Sequence, residues 1–141
     1  MSVSTPHSPR RQSQTVTRGF RVTVRPRYLR DESDPSARRY IFAYRITIAN
    51  EGDATAKLLS RHWRIVDSHG REDEVIGDGV VGATPLLSPG ESFEYESFCP
   101  LPTAWGTMEG TYTMRGEDGE RFEIVVPRFY LVSAEPTGGR D

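Results

Sequence analysis

Cysteine is almost absent from this chain. Cys99 stands alone, so no disulfide can form within it, and a reducing compartment, by default the cytoplasm, is the expected setting. Long hydrophobic runs are missing too: nothing approaches the ~18 consecutive apolar residues that span a bilayer. The N-terminus lacks the apolar core of a secretory signal, and Pro6 and Pro9 stand where a signal helix would have to form. Histidine is scarce, and His7, His62 and His69 show no H-x₃₋₅-H spacing, nor is there a C-x₂-C pair, so no zinc site is assigned. Glu72, Asp73 and Glu74 read as a solvated loop rather than a magnesium site, which would need carboxylates converging in space. There is no G-x-S-x-G elbow and no cysteine and histidine at a recognisable spacing. No catalytic residue, metal ligand or cofactor is therefore assigned, and the chain reads as non-enzymatic.

What is present is the composition of one globular domain: 141 residues, 35% hydrophobic and 27% charged, enough to bury a core without metal or disulfide. The net charge of −2 conceals an asymmetry, because the first 30 residues hold seven arginines and no acid. Four of these (Arg21, Arg25, Arg27, Arg30) fall in or beside an expected strand, and the rest of the chain is acidic. The bland reading is a solvated strand face plus a tail, and nucleic acid is not expected as a partner.

Residues 1–18, rich in Ser, Thr, Gln, Arg and Pro, are expected to form a disordered arm, and 133–141 a flexible tail around a domain at 19–132. Within that domain alternation of period two recurs. Phe20, Val22 and Val24 alternate with Arg21, Thr23 and Arg25. Tyr40, Phe42, Tyr44, Ile46 and Ile48 share one face of the strongest strand, which stops at the turn formers Asn50-Glu51-Gly52-Asp53. Further strands are expected over Ala56–Asp67, Ser92–Cys99, Gly110–Arg115 and Arg121–Leu131. About seven strands with no helix and no βα alternation predict an all-β antiparallel sandwich of immunoglobulin or fibronectin type III kind. Trp63, on a strand with Leu59 and Ile65, is expected in the core.

Gly77-Asp78-Gly79-Val80-Val81-Gly82 has the G-x-G-x-x-G spacing of dinucleotide-binding loops. That chemistry requires a helix opening on the motif, and Pro85 and Pro89 follow instead. The glycines read first as backbone geometry in a long loop, with phosphate, nucleotide or divalent-metal binding as the alternative.

Taken together, Arg61-His62-Trp63, the loop Gly77–Gly82 with Pro85, Ser88-Pro89-Gly90 followed by Tyr95-x-Ser97, and Gly106-x-Met108-x-Gly110-x-Tyr112 resemble the ApaG family, also called CorD, over roughly residues 20–131. The resemblance implies a fibronectin-type sandwich and an association with cobalt resistance and magnesium efflux. It also implies a protein-interaction role like that ascribed to related domains in eukaryotic F-box proteins and a DNA polymerase delta-interacting protein. The family has no agreed catalytic or metal-ligand set to carry over. The expected site is a binding surface at Arg61, Gly77, Asp78, Gly79, Val80, Val81, Gly82 and Pro85, for a protein partner whose identity is open. Free edge strands leave a homodimer open as well.

Overall fold

The computed structural model describes residues 12–133. Nine strands follow one another: β1 (Ser13–Thr17), β2 (Phe20–Tyr28), β3 (Tyr40–Asn50), β4 (Ala56–Asp67), β5 (Glu72–Asp78), β6 (Leu86–Leu87), β7 (Ser92–Leu101), β8 (Trp105–Gly116) and β9 (Arg121–Val132). Two single 3₁₀ turns, Arg30–Glu32 and Pro35–Ala37, lie between β2 and β3. One sheet has the order β1-β2-β3-β7. The other runs β5-β4-β8-β9, with the short β6 also pairing with β4. Every pairing is antiparallel, and the two sheets form the expected sandwich.

Period-two alternation drives its assembly. On β3, Phe42, Tyr44, Ile46 and Ile48 are buried while Arg45 on the opposite face is exposed. The facing sheet contributes Trp63, Met108, Tyr112, Met114, Ile124, Val126, Phe129 and Leu131. Trp63 lies in the core as expected, edge-on to Tyr44, Tyr112 and Phe129 with ring centroids 5.6–6.2 Å away. Such pairs add about 0.5–1.5 kcal/mol each beyond the area they bury. The turn after β3 is held by buried Asn50, whose Nδ2 donates to the carbonyls of Ala54 (2.8 Å) and Leu87 (3.0 Å).

Two departures from the sequence reading have physical causes. Ser13–Thr17, expected to belong to a disordered arm, pair instead with Phe20–Val24. Thr15, Val16 and Thr17 are β-branched, and Arg18 (φ +50°) and Gly19 (φ +85°) supply the two positive-φ positions of a tight hairpin turn. His7, Pro6 and Pro9 lie outside the described residues, as do 134–141 of the tail. Second, the acidic run Glu72-Asp73-Glu74 opens β5 instead of forming a loop. As expected for the run Arg121–Leu131, β9 continues through Pro127. It is the last strand of its sheet, and the register with β8 shifts between Met108 and Gly110, so no ladder bond is required of the proline.

The sandwich is closed on one side and open on the other. On the closed side β1 reaches β9, where the Val125 amide donates to the Thr17 hydroxyl (3.2 Å) and the Arg18 guanidinium lies 4.2 Å from the Phe122 ring centroid. On the open side β5 and β7 end their respective sheets. Every residue of β5 is exposed except half-buried Gly77, so the strand stands away from the opposite sheet.

Candidate functional site

The register of β4 against β5 places Arg61 opposite Gly77, Trp63 opposite Val75 and Ile65 opposite Asp73. Side chains in such pairs share a face, so Arg61, Trp63, Asp73 and Val75 all point between the sheets. Arg61 is held by the glycine segment itself. Its Nη1 donates to the carbonyls of Asp78 and Gly79, each at 2.9 Å, and the guanidinium lies flat over Gly77. A Cβ at residue 77 would come within 2.8–2.9 Å of three guanidinium atoms. Gly77 is therefore glycine because Arg61 occupies the space a side chain would need.

The other glycines serve the turn that follows. Gly79 (φ +62°) has no room for a side chain, since a Cβ would stand 2.4 Å from the Ala83 carbonyl oxygen. Val80 is fully buried and anchors the loop in the core. Val80 and Ala83 exchange backbone hydrogen bonds of 2.8 Å in both directions, which closes a two-residue turn at Val81 (φ +41°) and Gly82 (φ +82°). Positive φ at both central positions suits Asn or Gly, and a β-branched Val81 there is an outlier. Pro85 lies farther along, where its carbonyl accepts the Leu58 amide (2.9 Å). Of the eight residues read as a binding surface, Arg61, Gly77, Asp78 and Gly79 thus form one hydrogen-bonded unit. Val80 is core, Val81 and Gly82 form an exposed tip, and Pro85 supports β4.

The same bonds bear on the phosphate alternative. The amides of Gly79, Val80 and Ala83 donate to the carbonyls of Leu59, Ala83 and Val80, all at 2.8 Å. The segment leads into this turn and then β6, so no helix N-terminus faces it. The acids of β5 are likewise committed or separated. Glu72 bonds Arg64, Glu74 bonds His62 (3.0 Å), and Asp73 points to the opposite face. Among the described residues no group of three His, Cys, Asp or Glu is placed to hold a metal ion.

What the structure adds is a cleft of about 700 Å³ between β5 and β7. Tyr44 and Trp63 form its floor, Arg61 and Asp73 belong to one wall, and Phe98 and Cys99 to the other. Val75 projects at its rim, 38% exposed, whereas Phe98, paired with Ala43, turns its side chain to the outer face of β7. Beneath the cleft, Tyr95 of one sheet and Tyr112 of the other share a buried hydrogen bond of 2.6 Å between hydroxyls. Burial is the main force raising the pKa of Tyr44, Tyr95 and Tyr112, with Tyr112 held well above the phenolic range. For Tyr44 and Tyr95 it is partly opposed by hydrogen bonds from Ser97 and Tyr112 respectively. Burial, reinforced by the Asp73 carboxylate, pushes the Cys99 thiol up to about 12. At neutral pH these phenols and the thiol are protonated.

The sequence reading finds Arg61 and the glycines but not Tyr44, Asp73 or Val75 as site residues.

Comparison with known proteins agrees with this architecture. The model of the ApaG domain matches residues 30–116. The Protein ApaG of Methylobacterium sp. (strain 4-46) is 58% identical over 115 residues, covering 82% of this chain and 88% of the relative. The chain belongs to the ApaG family. Protein ApaG of Brucella canis is 52% identical over 116 residues, 82% of this chain and 89% of its own. Among solved structures, the ApaA protein from Bordetella pertussis superposes with a TM-score of 0.78 at 52% identity, covering 80% of this chain and 92% of that one. The ApaG domain match spans β3 to β8 and so contains both walls of the cleft.

Proposed function

We propose that this ApaG-family chain is a non-enzymatic protein-binding module whose cleft between β5 and β7 receives an extended segment of a partner protein. The observation that carries this reading is the open side of the sandwich. Two sheet edges border a cleft with an aromatic floor and the apolar side chain of Val75 at its rim, while on the opposite side β1 and β9 hold the sheets together through side-chain contacts. Edge addition of this kind draws affinity from main-chain hydrogen bonds and specificity from alternate side-chain pockets. The association with cobalt resistance and magnesium efflux would then run through the partner, since no helix among the described residues is long and apolar enough to cross a membrane.

Photo-crosslinking tests the proposal. A benzophenone amino acid at position 75, on the cleft rim, is expected to give a discrete covalent adduct in cells, and the same group at position 130, exposed on the far face, is not. Equal adducts from both positions, or none from position 75, would overturn it. Titration calorimetry with Mg²⁺, Co²⁺ and pyrophosphate is expected to show no heat at millimolar ligand. A saturable signal there would move the function to the glycine segment.

A further inference from the structure

The charges of β5 and its neighbours divide into two groups. Those on the outer face are paired: Arg64 with Glu72 and Glu109, and Arg128 with Glu109, while Glu74 shares a hydrogen bond with the His62 ring. Those facing the cleft are not. Among the described residues neither Arg61 nor Asp73 has an oppositely charged group within salt-bridge range, although both line the same cleft. Between them stands Val75, and beneath it Trp63.

Backbone geometry shows how a second strand would meet this row. The Gly79 amide donates to Leu59 and the Asp67 amide to Arg71. By antiparallel alternation the intervening odd-numbered residues of β5 therefore turn their main-chain groups toward β4, and Glu72, Glu74 and Ile76 turn theirs outward. A strand added there lies about 4.8 Å away. Its inward side chains then fall beside Gly77, Val75 and Asp73. Opposite Gly77 no side chain intervenes, and the guanidinium of Arg61 lies directly over that glycine, reaching across β5 to the free edge.

We infer that the occupant of the cleft is an extended segment, added as a strand to the edge of β5, that carries an acidic, an apolar and a basic residue at alternate positions. The acid pairs with Arg61, the apolar residue covers Val75 and Trp63, and the base pairs with Asp73. This rests on the binding-module reading and specifies its ligand. Arg61 is already anchored through Nη1 to two carbonyls, so its guanidinium meets a carboxylate without losing further rotamer freedom.

The test is selection of a displayed library of random nonapeptides on the full chain. The selected peptide, acetylated and amidated, is then titrated into isotope-labelled protein. The expected result is enrichment of sequences with an acid and a base two positions either side of an apolar residue, in one chain direction, moving the amide signals of β5. Affinity falls about tenfold or more in Arg61→Met and in Asp73→Asn. Because Arg61→Met also loosens the glycine turn, the deciding variant is exposed Asp73→Lys. It weakens the selected peptide and binds again the peptide whose base is replaced by glutamate. Peptides that move the β5 and β7 amides but lack the charge pattern, or bind Asp73→Lys unchanged, overturn this inference and leave the binding cleft standing. Failure to enrich any sequence, or signals that move only elsewhere, overturns both. So does self-association of the chain that buries β5 without peptide.

Discussion

The hydroxyl of Tyr95 on β7 and that of Tyr112 on β8 lie 2.6 Å apart, a buried hydrogen bond that ties the two sheets together directly beneath the cleft. Two phenols joined this way are interdependent, because removing one leaves the other buried without its partner. Tyr95→Phe and Tyr112→Phe are each expected to lower the unfolding free energy by about 1–3 kcal/mol, and the double variant to cost less than their sum. Urea unfolding of the four proteins measures the coupling. Strict additivity would show that the bond does not act as a unit.

Alkaline pH should weaken the fold before mild acid does. Cys99 is raised from its ordinary value of 9.0 to about 12, and Tyr44, Tyr95 and Tyr112 are raised above 10.0. A group whose folded pKa is raised contributes stability that is complete below its unfolded pKa and is lost as pH rises toward the folded one. The melting temperature is expected to begin falling above pH 9.0, where Cys99 first titrates in the unfolded chain, and more steeply above 10.0. Cys99→Ala should flatten the first part of this decline and leave the second. Thermal melts across the alkaline range check it.

Two glycines of one segment should respond differently to alanine. At Gly79 the clash is with backbone, the Ala83 carbonyl at 2.4 Å, and φ is +62°, so Gly79→Ala is expected to destabilise by about 2 kcal/mol or more. At Gly77 the clash is with the end of the Arg61 side chain, which can swing away. Gly77→Ala should therefore cost little stability while releasing Arg61 from the carbonyls of Asp78 and Gly79. Melting temperatures of both, with peptide affinity for the second, separate the two effects.

Val81 sits at φ +41° with its side chain 56% exposed. Val81→Asn, in a residue type that tolerates this conformation, is expected to stabilise the fold by about 1 kcal/mol. A loss of stability would mean that the valine side chain has packing that offsets its strain.

Much of the sandwich was legible in the sequence because its central strands have one dry face. The alternation of Phe42, Tyr44, Ile46 and Ile48 is a direct image of burial in β3. β5 had no such image. Both its faces meet solvent, so Glu72-Asp73-Glu74 carries no hydrophobic period, and the run reads like a loop. β1 was missed for a similar reason, its order deriving from β-branching and a tight turn rather than from apolar content. The glycine spacing was visible and its structural reading was sound, but the purpose of Gly77 was not. That emerges only when the β4–β5 register sets Arg61 opposite it. The cleft likewise depends on where two sheets part, which no local pattern encodes.

The acidity of β5 also governs how copies of the chain meet. If two β5 strands paired antiparallel about a two-fold axis at Val75, each Glu72 would face an Asp78 of the other copy. Like charges directly opposite on neighbouring strands repel, and charged edges are a common defence against uncontrolled sheet growth. In that register the strand most exposed to solvent repels a second copy of itself, while its edge stays open to a segment of different charge.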